Sequence, residues 1–375
     1  MPSVSDKQVL EALRGVVDPK AGGDLVSLRM VKSLSVCGDA VRFAIEFPTS
    51  DAPQAGAVRA AAEAAVRALP GVRQVTVETA ARVSPSPLGR RPEALPGIRN
   101  IVAVASGKGG VGKSTVSVNV AVALARGGAS VGLMDIDVYG PSVPGLLGLP
   151  RTADGTYDVR VADGKMVPPE RHGVRAVSLG FFTREDEPVI VRGPILDKAV
   201  QQLLSDVAWG SLDYLVCDLP PGTGDVPLSL AQRVPLTGVV IVATPQDVAL
   251  KIAAKSLRMF EKLRVDVLGI VENMSWFACP HCGGRTEIFA HGGARKACEV
   301  YGVPFLGEIP LDAAVRASGD AGEPVVSADP DSPQAKAFRE VAAAVAGQVA
   351  AANRRREESP PVSPVSFVST GPLEV

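Results

Sequence analysis

The chain has 375 residues, of which 46% are hydrophobic and 21% are charged, as expected of a globular protein long enough for two domains. The 39 basic and 40 acidic residues leave a net charge of −1, which excludes a general attraction for nucleic acid or an anionic membrane. No apolar run reaches the roughly 18 residues of a membrane span, and the first residues do not form the pattern of a signal peptide. Five cysteines make an odd count without a disulfide framework, so we expect a reducing, cytoplasmic location.

Residues 1–80 are expected to form a small α/β domain, because apolar residues recur first at helical and then at strand spacing. Its predicted elements are a helix over 6–16, strands over 25–34 and 41–47, a helix over 55–69 and a strand over 72–77. Four prolines then fall within residues 81–97, which form a linker by composition.

Residues 98–350 alternate short apolar runs with helical stretches, which predicts a mostly parallel sheet covered on both faces. The predicted core strands are Ile101–Ala105, Val131–Met134, Tyr214–Cys217, Val239–Ala243 and Val267–Val271. A helix over 341–352 is expected on the surface, and residues 351–375, rich in proline, serine and charge, are expected to form a disordered tail.

The most informative stretch is GKGGVGKST, which lies between the first core strand of this region and a helix-compatible segment. Strand, glycine-rich loop and helix together are the context that a phosphate-binding loop requires. Lys113 is placed to reach the β and γ phosphates of a nucleotide, and the Ser114 hydroxyl to ligate Mg²⁺. The residues expected to bind ATP here are Gly107, Lys108, Gly109, Gly110, Val111, Gly112, Lys113, Ser114 and Thr115.

Carboxylates end two of the core strands, and the carboxyl edge of an open α/β sheet is where ligands bind. Asp135 and Asp137 follow one strand, and Asp218 follows another as in a Walker B element. Taken alone, the first two are also consistent with ordinary loop capping. Asp218 suits Mg²⁺, which takes hard oxygen ligands and keeps several waters. Asn273, after a later strand, is either a turn residue or a nucleotide contact.

A second candidate site is the motif CPHC, in which Cys279 and Cys282 are separated by two residues. A thioredoxin-like redox pair should open a helix, whereas Gly283 and Gly284 favour a metal-binding turn. One chain supplies two thiolates and metal sites commonly use four, so a two-fold dimer would complete the set. Zinc and an iron–sulfur cluster both suit four sulfurs, while Cys217 and Cys298 are expected in the core.

These motifs, with DLPPGTGD after the Walker B strand, resemble the Mrp/ApbC branch of the MinD/ParA and nitrogenase iron protein class. The resemblance covers about two thirds of the chain. It implies a deviant Walker A loop in which Lys108 reaches the nucleotide of a second chain, so that Lys108, Lys113 and Asp137 are the catalytic residues. It further implies that Asp137 orients the attacking water and that Asn273 contacts adenine.

The same resemblance implies a homodimeric ATPase whose Cys279 and Cys282 hold a bridging 4Fe–4S cluster, delivered to apo-proteins after receipt from a donor. No nucleic acid or membrane partner is expected. The leading domain resembles the iron–sulfur assembly domain often found ahead of such ATPases, although residues 48–53 lack the cysteine that is frequent there. Ile252 also departs from the family, which often has an acidic residue at that place.

Two other functions remain open from the sequence. A ParA/MinD-like positioning ATPase would use a basic surface or an amphipathic helix, and its cysteines would form a structural zinc knuckle. A reductase would pass electrons from its cluster, although the spacing of Cys279 and Cys282 differs from that of the nitrogenase iron protein.

Overall fold

The computed structural model describes residues 4–87, 95, 97–138, 140–152, 155–182, 193–222, 227, 230, 231, 234–246, 250–279, 281, 282 and 284–358, with only the backbone of 193–197 and 250–254. Within them lie a small leading unit and a large α/β unit. No helix of the described ranges is long and apolar enough to cross a membrane.

The leading unit packs two helices on a three-stranded sheet, with strand order β3-β4-β5. Its elements are α1 (Asp6–Arg14), β1 (Val17–Asp18), β2 (Gly23–Asp24), β3 (Val31–Cys37), β4 (Ala40–Phe47), α2 (Ala55–Arg67) and β5 (Gln74–Ala81). Alternate residues of β4, among them Phe43 and Ile45, are buried against Val9 and Leu13 of α1, as expected of a sheet covered on one face. The small α/β domain is therefore confirmed.

The strand expected over 25–34 is wrong in its first half. Residues 25–29 form turns, in which the Asp24 carboxylate accepts hydrogen bonds from the backbone N–H groups of Val26 and Ser27 at 3.0 and 2.8 Å. Local side-chain bonds of this kind compete with strand pairing, so that β3 begins only at Val31.

Nine strands of the described chain form the sheet of the large unit, in the order β10-β11-β7-β12-β6-β13-β14-β15, with β16 also paired to β14. These strands are β6 (Ile98–Ser106), β7 (Val131–Asp135), β10 (Glu170–Arg171), β11 (Val174–Ser178), β12 (Leu212–Asp218), β13 (Gly238–Ala243), β14 (Val267–Ala278), β15 (Arg285–Thr286) and β16 (Phe305–Leu311). Strands β10 and β15 pair antiparallel and the others pair parallel. All five predicted core strands are confirmed, and β11 and β16 are additional.

Helices cover this sheet. The helices are α3 (Lys113–Arg126), α4 (Val143–Leu146), α5 (Gly193–Ser205), α6 (Leu250–Lys262), α7 (Gly293–Tyr301), α8 (Ala313–Asp320), α9 (Val325–Ala328) and α10 (Pro333–Glu358). A small hairpin, formed by β8 (Val161–Ala162) and β9 (Lys165–Met166), is separate from the sheet. Because β6 runs directly into the loop before α3, the phosphate loop lies at the carboxyl edge of the sheet.

Two expectations for the end of the chain are wrong. The helix over 341–352 is not a surface helix, because Val341, Val345 and Val349 are at most 1% exposed and pack in the core. The predicted tail begins too early, since α10 runs on to Glu358. The buried Asn353 amide donates to Asn100 Oδ1 at 2.9 Å, and Arg356 pairs with Asp266 at 2.9 Å. These tertiary contacts fix a polar helix end; residues 359–375 lie outside the described residues.

The leading unit docks at the edge of the sheet opposite the phosphate loop. Ser50, in the stretch that lacks the family's cysteine, donates its Oγ hydrogen to the Gly127 carbonyl oxygen at 2.9 Å. Gly127 caps the C-terminus of α3, whereas Lys113 begins it. At about 1.5 Å per residue, these ends are about 20 Å apart, so residues 48–53 do not reach the nucleotide site.

Candidate nucleotide site and cysteine turn

The phosphate loop has a backbone that only glycine adopts readily at two points. Gly110 has φ of 79° and Gly112 has φ of 77°, in the left-handed region that side chains with a Cβ avoid. The Ser106 hydroxyl donates to the Lys108 carbonyl oxygen at 3.0 Å and closes the start of the loop. The chain therefore curls so that successive N–H groups precede the N-terminus of α3, which favours an anion there.

Lys113 lies in a cluster of carboxylates. Its Nζ is 2.8 Å from Asp218 Oδ2 and 3.4 Å from Asp137 Oδ2, and its side chain is 5% exposed. Lys113 begins α3, Asp218 ends β12, and Asp137 follows β7, so adjacent parallel strands bring the three groups together. Of the sequence-predicted catalytic residues, Lys113 and Asp137 are in contact.

Two hydroxyls complete the surroundings of the Asp218 carboxylate, which is fully buried. Ser114 Oγ donates to Asp218 Oδ2 at 2.5 Å, and Ser117 Oγ donates to Asp218 Oδ1 at 2.6 Å. A carboxylate and a hydroxyl in direct contact offer the hard oxygen atoms that Mg²⁺ prefers. The donor set at Ser114 and Asp218 therefore fits a magnesium ion held beside the phosphate loop.

Asp135 is a second buried carboxylate of this cluster. It accepts hydrogen bonds from the Asp137 backbone N–H at 3.0 Å and from Ser178 Oγ at 2.9 Å. Burial, and then the negative charge of Asp218, raises the pKa of Asp135 to about 7. The carboxylates outnumber the one ammonium among these residues, so the site favours further positive charge.

Lys108 lies apart from this cluster. Lys108 is an exposed residue at the rim of the loop, and its carbonyl oxygen accepts the hydrogen bond from the Ser106 hydroxyl. The loop after β12 passes nearby, since the Gly222 N–H donates to the Ser106 carbonyl oxygen at 2.8 Å. Residues 223–226, which include most of the remaining DLPPGTGD motif, lie outside the described residues.

Asn273 contacts the phosphate loop directly. Its Nδ2 donates to the Val111 carbonyl oxygen at 2.8 Å, and a Cβ placed on Gly112 would lie only 2.4 Å from this nitrogen. The second hydrogen of the amide group and its oxygen are the donor and acceptor that an adenine edge requires. Asn273 is 6% exposed, so its side chain is held in a fixed place beside the loop.

The two cysteines of the CPHC motif lie on a turn between β14 and β15, and not at the start of a helix. The Cys279 N–H donates to the Gly284 carbonyl oxygen at 2.9 Å. Cys279 is half-buried and Cys282 is exposed. The backbone N–H groups of His281 and Cys282 donate to the Cys279 sulfur and hold the pKa of this thiol below its usual range. The turn therefore presents two sulfur atoms, one half-buried and one exposed, as candidate metal ligands.

The other three cysteines do not join this turn. Cys217 and Cys298 are buried and Cys37 is exposed on the leading unit. Burial raises the pKa of Cys298 to about 11 and that of Cys217 well above its usual range, so both behave as core residues. Pro280, Gly283 and Asp247 lie outside the described residues, as does the side chain of Ile252.

Sequence reasoning missed three buried polar residues of these sites, namely Ser117, Ser178 and Glu272. Ser117 lies one helical turn after Lys113, a spacing that places both on one face of α3. Ser178 ends β11 at the carboxyl edge of the sheet, and the rule that ligands bind at this edge was a usable signal. Glu272 directly precedes Asn273 within β14, where nothing in the sequence distinguishes it from a solvent-facing acid.

The parallel sheet, the glycine loop and the Lys113–Asp218–Ser114 contacts define a P-loop NTPase. Residues 97–346 match the family described as NUBPL iron-transfer P-loop NTPase, and residues 6–78 match the family of iron–sulfur cluster assembly proteins. The chain therefore belongs to the NUBPL iron-transfer P-loop NTPase family and carries an iron–sulfur assembly domain ahead of it.

Individual relatives match between about two thirds and almost the whole of the chain. An iron–sulfur cluster carrier protein of Deinococcus radiodurans is 48% identical over 357 residues, which are 95% of this chain and 99% of that protein. The iron–sulfur cluster transfer protein NUBPL of Dictyostelium discoideum is 46% identical over 256 residues, 68% of this chain and 78% of that protein. A solved nucleotide-binding protein of Archaeoglobus fulgidus, in complex with ADP, has a TM-score of 0.56 at 41% identity and covers 64% of this chain and 92% of its own.

Proposed function

We propose that this protein is a homodimeric iron–sulfur cluster carrier that binds and hydrolyses ATP and delivers its cluster to apo-proteins. The relatives named as cluster carriers and the ADP complex of a similar protein support the two halves of this proposal. The observation that carries it is the cysteine turn, whose half-buried Cys279 and exposed Cys282 directly follow β14, the strand that brings Asn273 to the phosphate loop.

The nucleotide would be held by the N–H groups of 110–115 and by Lys113. The Lys113 ammonium is paired with Asp218 and Asp137, so phosphate oxygens would share this cation with them. Magnesium, when bound at Ser114 and Asp218, offsets phosphate charge. Lys108 would reach the phosphates of the partner chain's nucleotide, which its exposed position allows.

Asp137 would orient the attacking water. Its carboxylate accepts a hydrogen of the water, whose oxygen forms a bond to the γ-phosphorus while the bond from that phosphorus to ADP breaks. The Asp137 backbone is held by Asp135, which is held in turn by Ser178. These hydrogen bonds hold the Asp137 backbone, and the Lys113 ammonium lies 3.4 Å from the Asp137 carboxylate. Such preorganisation is the main contribution of a protein to phosphoryl transfer.

The cluster would be cargo held between two chains. Cys279 and Cys282 of one chain supply two thiolates, and a two-fold axis supplies the same pair again. The lowered pKa of Cys279 favours the thiolate form that binds iron or zinc. Five free cysteines also suit the reducing cytoplasm in which such cargo would be handled.

Anaerobic reconstitution with iron and sulfide tests this function. The wild type should gain about four iron and four sulfide per dimer, with the absorption of a cluster and the mass of a dimer. Cys279→Ala combined with Cys282→Ala should lose all of these, whereas Cys37→Ala, which removes an exposed thiol of the leading unit, should lose none. Zinc at about one per dimer without sulfide would instead indicate a structural knuckle and a positioning ATPase.

A further inference from the structure

One strand serves both candidate sites. Strand β14 (Val267–Ala278) carries Asn273, whose amide is bonded to the phosphate loop at Val111, and it leads directly into Cys279. At about 3.3 Å per residue, the two positions are about 20 Å apart along an extended chain. A displacement of Asn273 by nucleotide therefore has a short covalent path to the cysteine turn.

This path contains an irregularity. Met274 has φ of 56°, a left-handed conformation that is rare for a residue with a long side chain. The pairing of β14 with β16 also shifts here, from Asn273 opposite Ile309 to Phe277 opposite Leu311. Four residue steps along β14 thus span two steps along β16, which is a bulge. Such strained points persist only where surrounding contacts hold them, and they cluster at functional sites.

Glu272 holds the bulge from its amino-terminal side. Its carboxylate is fully buried, and Oε1 accepts the hydroxyl hydrogen of Ser275 at 2.6 Å, which closes the irregular segment. The same carboxylate accepts N–H groups of the chain that returns from the cysteine turn, from Gly292 at 3.2 Å and from Ala294 at 2.7 Å. One side chain therefore joins the strand before the bulge, the residue after it and the return segment.

A second acidic residue, Glu308 of β16, also contacts the return segment. Glu308, directly opposite Glu272 in the β14–β16 pairing, is 3.0 Å from His291 Nε2 and 3.7 Å from Arg285. Arg285 pairs across the hairpin with Ala278, the residue before Cys279. The cysteine turn is therefore connected to the Glu272 region on both sides, through the end of β14 and through the return segment. A movement at the bulge is transmitted along both connections.

We propose that Glu272 is a positioning residue that couples the nucleotide site to the cysteine turn. Nucleotide that engages the Asn273 amide shifts the Met274 bulge, and the Glu272 carboxylate carries this shift to Gly292 and Ala294. The geometry of the two thiols then depends on whether nucleotide is bound. The inference rests on the proposed function, since it requires a nucleotide beside Asn273, and it adds to it the residue through which the two sites communicate.

Alkylation of the thiols by iodoacetamide, with and without ADP, tests this in the metal-free full chain. Rates are followed peptide by peptide in a mass spectrometer, with the exposed Cys37 as an internal reference. In the wild type, ADP should slow the alkylation of Cys279 and Cys282 about fivefold or more, the low end of ordinary coupling between sites. In Glu272→Gln, measured at an ADP concentration that saturates each protein, this nucleotide effect should fall below about twofold.

Glu299→Gln is the matched control, because it makes the same chemical change on an exposed residue of α7, and it should keep the wild-type response to ADP. Ser275→Ala removes one of the three bonds and should give an intermediate response, which tests the proposal even if Glu272→Gln does not fold. An unchanged response in Glu272→Gln, or no response in a wild type that binds ADP, would overturn the coupling. Failure of the wild type to bind ADP would overturn the proposed function itself.

Discussion

The nucleotide site and the cysteine turn are built in opposite ways. The nucleotide site is enclosed, with Lys113, Asp137 and Asp218 all less than 9% exposed and bonded to one another within one chain. The cysteine turn lies at the edge of the sheet, and Cys282 is exposed. The enclosed site is organised before its ligand arrives. Under the proposed function the turn is half of a site, because two thiolates do not satisfy a metal that takes four.

The two sites therefore obtain their stability from different sources. Buried charges require partners from the same chain, since an unpaired buried charge is costly. Surface thiols carry no such requirement, and under the proposed function a second chain and a metal complete their site. Mutations should accordingly affect folding at the first site and assembly at the second.

The two sites should be separable in the cluster-free protein. Cys279→Ala combined with Cys282→Ala should reduce bound iron to background while ATP hydrolysis changes by less than about twofold, because the described contacts of Lys113 and Asp218 include neither cysteine. Iron content and phosphate release measured on one preparation check this. A complete loss of hydrolysis in this variant would break the contrast between the two sites.

Lys113→Ala should impair ATP hydrolysis and leave iron binding intact. Loss of the only ammonium among the described contacts of Asp218 and Asp137 should slow phosphate release about 100-fold or more, the scale for removing a preorganised charge contact. Iron loading of the cysteine turn should persist, and delivery to an apo-protein should fail. Lys165→Ala, on the exposed β8–β9 hairpin, serves as the control. Delivery at the wild-type rate would show that hydrolysis is not coupled to transfer.

The stability of the nucleotide-free protein should fall as the pH rises, through Asp135. Its pKa is about 7 in the folded chain against 3.8 for the free side chain, so the folded state binds this proton more tightly. The stabilisation is therefore fully present below the unfolded value and is lost as the pH rises through the folded one, with a size on the order of a few kcal/mol.

Denaturant unfolding from about pH 5 to about pH 8 measures this loss. Asp135→Asn, which cannot ionise, should flatten the curve, and saturating Mg²⁺ with ADP should flatten it in the wild type because the added cation favours the ionised carboxylate. Equal slopes in wild type and variant would show that Asp135 does not titrate in this range.

Ser178→Ala should have the smallest effect. It removes one hydrogen bond to the buried Asp135 and should cost about 1–2 kcal/mol of unfolding free energy, with a lower hydrolysis rate because Asp135 positions Asp137. Ser130→Ala, at an exposed loop position, should leave both unchanged. If the two variants behave alike, the Ser178 hydroxyl contributes nothing to the enclosed site.

The local sequence pattern was sufficient to predict those parts of the molecule whose conformation depends on neighbouring residues. The phosphate loop was predictable because Gly110 and Gly112 must adopt left-handed backbone and Lys113 must follow them. The five core strands were predictable because continuous apolar runs have few alternatives to a doubly covered sheet. Strands β11 and β16 escaped prediction, since an arginine lies within β11 and a glycine and a proline lie within β16.

Residue types at fixed spacing were enough to identify the two motifs, their order and the P-loop NTPase class, because backbone conformation and ligand chemistry impose them. Which polar residues meet depended instead on the fold. Ser178 and Asp135 lie on neighbouring strands, Glu272 bonds a segment twenty residues later, and the polar end of α10 is fixed by Asn100 and Asp266. Such contacts depend on the packing of distant segments, which no local pattern encodes.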